Sequence, residues 1–405
     1  MKVRRLHHQR LLQVLMVLLV VCSLRFSFLG SSSSQIYREQ QQQQHCHLYN
    51  CSNDREDSGP YHNWELFAAD FEKMKQQLKI FVYSDVFYKS SPFADIFLPL
   101  PNPSHRPNYF SEHIFKVALL RSSLLTLLPQ KAHFFFLPFS INALRNDHRF
   151  HSEESISQFI THYTNTITHR FSYWNASAGA DHFYVCCHSV GRQAASKHPA
   201  LRNNAIQLTC CSSYFQRFFV PHRDVGLPQI WPRPPYTPPH LQTRHRLAYF
   251  AGRVQNSRVR WELINLWGND TQMDIFDGNP SLPYEEGFKR SKYCLHVKGY
   301  EVNTARVSDS IHFGCVPVII SNYYHLPFAN VLDWSKFSVI LTQEDIPMLK
   351  QILLAIPTKT YLTMYQNLRK VKKHFQWHTT PQGYDSFYMT AYQLWLRRNI
   401  HRFSY

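Results

Sequence analysis

The sequence has 405 residues, of which 44% are hydrophobic, so it is long enough for two or three domains that each bury a core. Its 12 glycines exclude a fibrous or low-complexity protein. A formal charge of +17 favours anionic partners, although a solvated basic surface explains most of it at least as well. No nucleic-acid-binding motif accompanies the charge, so we favour an acidic polysaccharide, an anionic lipid surface or a nucleotide-sugar diphosphate over nucleic acid.

The N-terminus predicts a membrane anchor. Residues 1–10 are rich in Lys and Arg, and a largely apolar run follows them. As a helix, residues 11–29 span about 28 Å, which is enough for a thin bilayer with Arg25 at its far face. The basic flank keeps residues 1–10 cytosolic and makes the remaining chain luminal. A cleaved signal peptide is the alternative, but no Ala-x-Ala type of cleavage site follows the run.

Residues 30–74 are predicted to form a luminal stem. Residues 31–45 contain four serines in a row and five glutamines in a row, and this composition buries too little apolar surface to fold. Three Asn-x-Ser/Thr sequons, at Asn50, Asn175 and Asn269, fit a luminal protein and are predicted N-glycosylation sites.

The cysteines also fit a secreted or luminal body. Cys22 lies in the predicted anchor, and the other eight allow up to four disulfides in an oxidising lumen. Zinc ligands are usually spaced as Cys-x-x-Cys, so the doublets at 186–187 and 210–211 favour disulfides or buried thiols over a metal site. The pairing stays open.

The body of the chain alternates strand and helix patterns, which is typical of an α/β fold. A first domain over 75–220 has predicted strands at 79–84, 132–137, 182–188 and 205–210, with helices at 112–128 and 154–170. Seven prolines between 221 and 240 predict a linker over 221–243, because so many prolines fit neither a helix nor a central strand.

The alternation restarts in a second predicted domain over 244–375. Its strands are expected at 246–250, 274–276, 292–297 and 316–320, and its helices at 259–267, 283–290 and 303–313. Helices at 360–375 and 384–401 follow, the latter within a C-terminal segment 376–405. We therefore predict two doubly wound, Rossmann-like domains facing a cleft.

Residues 292–320 carry the strongest functional pattern, a strand, a glycine-containing loop and a helix. The predicted helix begins at Asn303 or Thr304, and Arg306 in its first turn adds a permanent cation. Such a helix start binds phosphate and neutralises a departing diphosphate without a metal. Asp309 is placed to accept hydrogen bonds from ribose hydroxyls. Alternatively, Arg306 and Asp309 form a surface ion pair at i and i+3.

Several segments resemble the plant exostosin family of glycosyltransferases, in the family's order, over roughly residues 75–375. They are KAHFFFLPFS (131–140), YWNASAGADHFYVCCHSVG (173–191), DVGLPQI (224–230), RLAYFAGR (246–253) and GYEVNTARVSDSIHFGCVPVIISNYYHLPFANVLDWSKFSV (299–339). The resemblance implies a GT-B fold, inversion at the anomeric carbon, a nucleotide-sugar donor held mainly by the C-terminal domain, and synthesis of cell-wall or matrix polysaccharide in the Golgi.

Family motif positions fall on specific residues of this chain. Glu301 and Arg306 match donor-side positions, and Asp309 stands where many relatives have glutamate. Arg253 ends a strand that points toward the cleft by fold analogy and is a second candidate for the diphosphate. Residues 296–298 (His-Val-Lys) replace Cys-Pro-Ser, and Leu128 replaces a usual aspartate.

An inverting transfer also needs a general base, which GT-B enzymes usually take from the N-terminal domain. Asp181, His182 and His188 flank the strand segment 183–187 in that domain and are the candidates, with Asp224 as a weaker one. A histidine of ordinary pKa is well suited to this role, although most of the 24 histidines must be structural.

The leading hypothesis is an inverting glycosyltransferase that is a single-pass type II membrane protein of the Golgi. It is expected to transfer a sugar from a nucleotide sugar to a polysaccharide and to need no metal cofactor. One rival is a catalytically silent glycan-binding or scaffolding subunit of a complex with other glycosyltransferases. Another is a soluble, secreted polyanion-binding protein, which requires cleavage of the N-terminal segment.

Overall fold

The computed structural model describes residues 59–83, 92–97, 109–215, 218–231, 233–237, 244–255, 257–280 and 282–398. The predicted anchor over 11–29 and the sequon at Asn50 lie outside these residues. Among the helices described, none is long and apolar enough to cross a membrane. The described residues belong to one compact unit.

A first lobe is built on a sheet of six parallel strands in the order β2-β1-β3-β4-β5-β6. Its apolar runs are buried on both faces, which is why they lack polar alternation. Phe134 and Phe136 pack into one hydrophobic cluster, and the intervening Phe135 packs into another on the opposite face. The strands are β1 (Ile80–Val82), β2 (Leu125–Thr126), β3 (Phe134–Phe136), β4 (His182–Cys186), β5 (Ile206–Thr209) and β6 (Val225–Gly226).

Helices cover this sheet, and most begin at a side-chain cap. Ser152 and Ser155 form a capping box at the start of the long helix over Glu153–Arg170, whose predicted position is confirmed. The described helices between residues 64 and 203 are α1 (Trp64–Gln77), α2 (Ala94–Phe97), α3 (Phe110–Leu120), α4 (Ile141–Asn146), α5 (Glu153–Arg170), α6 (Tyr173–Ser177), α7 (Ser189–Ser196) and α8 (Pro199–Asn203).

The predicted helix over 112–128 is wrong in its second half. Helix α3 ends at Leu120, and Leu125–Thr126 instead pairs with β1 as an edge strand. The periodicity of a short apolar run fits a helix or a strand equally well. Here the run forms a strand because it can pair with the free edge of β1.

A second lobe contains five parallel strands in the order β11-β10-β9-β7-β8. Four of them were predicted, and the edge strand β11 was not. The strands are β7 (Arg246–Ala251), β8 (Met273–Phe276), β9 (Ser291–Val297), β10 (Val316–Ile320) and β11 (Val339–Leu341), and the helices are α9 (Arg258–Trp267), α10 (Tyr284–Arg290), α11 (Arg306–Phe313), α12 (Leu349–Ala355), α13 (Thr358–Val371) and α14 (Ser386–Arg397). The result is an α/β fold with two parallel sheets.

The predicted linker over 221–243 begins inside the first sheet. Val225–Gly226 pairs with β5, with Leu208 opposite Val225. At an edge position a strand needs hydrogen bonds on one side only, so a neighbouring proline is tolerated.

The end of the predicted stem is folded. Helix α1 packs on the C-terminal helix α14, where Phe71 contacts the rings of Tyr388 and Tyr392. The indole of Trp395 donates a hydrogen bond to Asp70 at 3.1 Å. The prediction of a stem is therefore wrong for residues 64–74, because their apolar face packs on a helix that lies more than 300 residues later in the chain.

Disulfides and buried thiols account for the described cysteines, as the doublets predicted. Cys187 pairs with Cys210 and Cys294 with Cys315. Cys186 and Cys211 are buried thiols. The Cys187–Cys210 disulfide joins the residues that follow strands β4 and β5, so each doublet supplies one disulfide partner and one buried thiol. The Cys294–Cys315 disulfide joins strand β9 to the residue before β10.

Candidate active site

The loop between β9 and α11 lies at the carboxyl edge of the second sheet. Helix α11 begins at Arg306, three residues later than predicted, and the preceding Ala305 supplies no side-chain cap. The hydroxyl of Thr304 accepts a hydrogen bond from the Arg306 amide at 3.3 Å. Gly314, at φ 70°, ends the helix in the left-handed region that glycine favours.

A cavity of about 810 Å³ opens beside this loop. Four of the predicted donor residues, Arg253, Glu301, Thr304 and Arg306, line it together. Asn303, the other predicted start of the helix, also lines the cavity. The sequence did not point to further polar and aromatic lining residues, which include Tyr109, Arg145, Gln229, Trp231, Arg233, Arg260, Tyr284, Glu285 and Tyr300.

Arg306 is held against the end of β7. Its Nε donates to the carbonyl of Ala251 at 2.9 Å, and its guanidinium lies 5.3 Å from the centre of the Phe250 ring. A Cβ on Gly252 would lie 2.5 Å from Arg306 Nη2, so glycine provides the space for the guanidinium. Arg306 is therefore fixed in orientation at the cavity wall by backbone and ring.

Arg260 is a second fixed cation, which sequence reasoning missed. Its Nε and Nη2 donate to the carbonyl of Val297 at 3.2 and 3.1 Å, and Nη1 donates to the carbonyl of Arg253 at 3.1 Å. Burial and the charge of Arg306 lower its pKa to about 10. An anion in the cavity would relieve that repulsion between cations.

Asp309 does not line the cavity. Its carboxylate is buried and accepts from Arg233 Nε at 3.0 Å and Nη2 at 3.2 Å, and from the Tyr284 hydroxyl at 3.3 Å. Burial raises its pKa. The surface ion pair with Arg306 is not formed, and the structure places Arg233, from the proline-rich segment, between Asp309 and the cavity. Sequence spacing gave no signal for this long-range pair.

His296 stands at one of the positions where this chain departs from the family pattern, and its ring has a structural role there. Its ring is fully buried, with Nε2 2.9 Å from the Val302 carbonyl and Nδ1 3.1 Å from the Thr304 hydroxyl. Donation from Nε2 to the carbonyl leaves Nδ1 to accept from the hydroxyl. The histidine thus ties the second half of the cavity loop, at Val302 and Thr304, to strand β9.

The structure does not bring Asp181 and His182 to the cavity. Both stand at the amino end of β4, whereas the cavity lies at the carboxyl edge of a parallel sheet. His182 is fully buried, 2.7 Å from the Tyr83 hydroxyl and 2.7 Å from Asp181 Oδ1. Burial lowers its pKa, so it is a neutral core histidine.

His188 follows the carboxyl end of β4 but acts as the N-cap of α7. Its Nδ1 accepts from the Val190 amide at 3.1 Å, so the proton of the neutral ring sits on Nε2. Burial and Arg145 lower its pKa to about 4. A ring in this tautomer donates from Nε2 and has no basic nitrogen left for an acceptor hydroxyl. Asp224, the weaker candidate, is buried and paired with Arg223 at 2.9 Å.

Polar contacts join the two lobes at the cavity, and Gln229, Glu301 and Asn303 take part in them. Glu301 Oε1 accepts from the Ser189 amide, at the start of α7, at 3.0 Å. The Asn303 amide donates to Gln229 Oε1 at 3.0 Å, and the Cys211 thiol donates to Asn303 Oδ1 at 3.4 Å. The cavity loop is thereby anchored to both lobes.

An aromatic wall lies at one side of the cavity. The Trp231 and Tyr284 rings are 6.2 Å apart, and the guanidinium of Arg233 lies within 6 Å of both ring centres. A flat apolar surface beside cations is suited to a nucleobase or a sugar ring.

Two further predictions concern N-glycosylation and metal binding. The sequon residues Asn175 and Asn269 are both exposed, as glycan attachment requires. In the part of the chain that the structure describes, no three His, Cys, Asp or Glu side chains are clustered to hold a metal ion.

Comparison with known proteins identifies the family. The exostosin GT47 domain matches residues 74–356, more than half of the chain. Two probable glycosyltransferases of Arabidopsis thaliana are 34% and 35% identical over 84% of this chain, which spans 66% and 72% of their lengths. A probable glucuronosyltransferase of Oryza sativa subsp. japonica is 27% identical over 60% of this chain and 63% of its own. The chain therefore belongs to the exostosin GT47 family of glycosyltransferases.

Proposed function

We propose that this protein is an inverting glycosyltransferase of GT-B type that transfers a sugar from a UDP-sugar to a cell-wall or matrix polysaccharide in the Golgi. The observation that carries the proposal is the cavity at the carboxyl edge of the second sheet, where Arg253, Arg260 and Arg306 converge. Ligands of doubly wound sheets bind at this edge. The names of the relatives support sugar transfer as the reaction.

The cations give the cavity its chemistry. When the bond between the sugar and the diphosphate breaks, negative charge develops on the departing diphosphate. Arg306 and the start of α11 are oriented before the reaction and stabilise that charge in place, which is the most effective form of electrostatic catalysis. Arg253 is exposed at the cavity wall and completes the set. We therefore propose transfer without a metal cofactor.

Inversion requires a base that accepts the proton of the acceptor hydroxyl while its oxygen attacks the anomeric carbon. The two carboxylates on the cavity wall, Glu285 and Glu301, replace the three earlier candidates in this role. Glu285 pairs with Arg233 at 3.1 Å, and Glu301 contacts the first lobe at Ser189. Glu285→Gln and Glu301→Gln should separate them, because only loss of the base removes the acidic limb of the pH–rate profile.

The proposed location is a Golgi membrane, with a single-pass type II anchor over 11–29, a luminal body and possible assembly with other glycosyltransferases. The two disulfides and the exposed sequons at Asn175 and Asn269 support a luminal body. Protease protection in intact microsomes and a mobility shift after endoglycosidase treatment test it. Full digestion without detergent would rule out this topology.

The central experiment measures binding and turnover with full-length protein. Calorimetry with UDP tests the donor cavity, and a panel of UDP-sugars with plant oligosaccharide acceptors tests transfer. We expect UDP binding that survives EDTA, and turnover with one donor. Absence of both UDP binding and turnover would falsify the proposal.

A catalytically silent subunit is the second candidate function. The observation that favours it is that Asp309 is fully engaged by Arg233 and Tyr284, while Asp181 and His182 lie at the wrong end of β4. Such a subunit need not bind UDP but should co-purify with an active glycosyltransferase and raise its activity. UDP binding together with turnover by the isolated protein excludes it.

A further inference from the structure

Arg145 differs from the other arginines of the cavity. It stands at the end of helix α4 in the first lobe, whereas Arg253, Arg260 and Arg306 come from the second lobe. Its side chain is exposed at the cavity wall. Across the described ranges, no carboxylate or carbonyl accepts a hydrogen bond from its guanidinium. It is therefore available to a ligand.

Tyr109 lines the same cavity as Arg145 and also comes from the first lobe. Its ring packs 5.0 Å from that of His188, and the charge of Arg145 acts on both residues. Within the described part of the chain, the Tyr109 hydroxyl also has no hydrogen-bond partner. The first lobe thus contributes both a cation and a hydroxyl donor to the lining of the cavity.

The position of this pair indicates which part of the substrates it meets. With the diphosphate on the second lobe, the transferred sugar and the acceptor lie between the diphosphate and the first lobe. A planar guanidinium matches a carboxylate with two parallel hydrogen bonds, whereas a neutral sugar hydroxyl uses only one. A phenol donates readily to a neighbouring ring hydroxyl.

We propose that Arg145, assisted by Tyr109, binds the carboxylate of a uronic acid residue. The inference rests on the proposed function, and the carboxylate belongs either to the transferred sugar or to the acceptor glycan. In both cases Arg145 sets specificity for an anionic sugar and takes no part in holding the diphosphate.

The test uses full-length protein and four variants in calorimetry. Arg145→Gln and Tyr109→Phe remove the proposed donors, Arg145→Lys retains charge without the bidentate geometry, and the exposed Arg121→Gln is the matched control. The donor arm compares UDP, UDP-glucose and UDP-glucuronic acid. The acceptor arm compares an oligogalacturonide with its methyl ester at saturating UDP.

Arg145→Gln should weaken binding of the carboxylated ligand about tenfold or more in one arm, because it removes a charge-assisted pair. In Arg145→Gln, the affinity for the neutral counterpart and for UDP alone should change less than about twofold. In the control Arg121→Gln, the affinity for every ligand should change less than about twofold. Arg145→Lys should recover part of the lost affinity for the carboxylated ligand. The arm in which the loss occurs locates the carboxylate on the donor or on the acceptor.

Two results overturn the inference while the proposed function stands. In one, UDP binds normally and Arg145→Gln affects neither carboxylated ligand. In the other, the variant weakens UDP as much as the UDP-sugars, which would place Arg145 in the diphosphate site. If the unmodified protein fails to bind UDP, the proposed function fails and takes this assignment with it.

Discussion

The units β4–α7 and β9–α11 have the same strand, loop and helix order but use their helix starts differently. Only residues 187–188 separate β4 from α7, and the first amide of α7 is occupied by Glu301 from the other lobe. Residues 298–305 separate β9 from α11, and this longer loop carries Glu301 and Thr304 to the cavity, where Arg306 follows as the first residue of α11. Loop length and the partner of the helix start therefore decide which of the two helix starts opens to the cavity.

Arg306→Ala tests the β9–α11 side most severely. Removal of a fixed cation from the proposed diphosphate site should reduce kcat/KM for transfer by about 100-fold to 1,000-fold. Gly252→Ala is a second probe, because its Cβ displaces the same guanidinium, and it should reduce kcat/KM about tenfold. Transfer assays check both, with Arg121→Gln as the control. Unchanged activity in Arg306→Ala would contradict the donor site.

Arg233→Ala tests the conclusion that Asp309 is structural. Loss of its partner leaves a buried carboxylate unpaired, so the free energy of unfolding should fall by about 3 kcal/mol. Urea denaturation measures this loss. Exposed Arg258→Ala is the matched control and should change stability by less than about 0.5 kcal/mol. Normal stability with impaired UDP binding would instead return Asp309 to the ligand site.

His296 links the stability of the cavity loop to pH. Burial lowers its pKa to about 3, well below the value near 6.5 in an unfolded chain. The unfolded state thus binds more protons between these values, so the His296 contribution is full above pH 6.5 and is lost as the pH falls toward 3.

Between pH 7 and pH 5 that loss amounts to about 2 kcal/mol. His296→Gln should remove this part of the pH dependence, which denaturation at several pH values would reveal as the difference between variant and parent. Subtraction is needed because burial raises the pKa of Glu112 to about 7, which gives the opposite slope. Parallel pH profiles would show that His296 is not the cause.

Asp181→Asn should have the smallest effect and tests the β4 side. Because Asp181 lies at the amino end of its strand, kcat/KM should change less than about twofold, with a small change in melting temperature from the lost contact to His182. Glu301→Gln, on the cavity wall, is the comparison. A loss of activity in Asp181→Asn with an intact fold would revive it as a catalytic residue.

Local patterns in the sequence were sufficient to predict most of the parallel core. Continuous apolar runs such as residues 134–136 and 316–320 form strands wherever both faces are covered, and the strand, glycine and helix pattern after residue 292 located the cavity loop. It also favoured disulfides or thiols for the cysteine doublets. These features depend on local composition and spacing, which a sequence displays directly.

The contacts between polar groups, in contrast, depend on how distant segments pack together. Arg233 reaches Asp309 from 76 positions away, Arg145 faces the cavity from the other lobe, and residues 64–74 fold on the C-terminal helix. The sequence likewise did not show that His182 and His188 lie at opposite ends of β4 relative to the cavity. Both residues flank the strand segment 183–187, but only the carboxyl end of β4 faces the cavity. Contacts between distant segments follow from packing, and no local pattern encodes them.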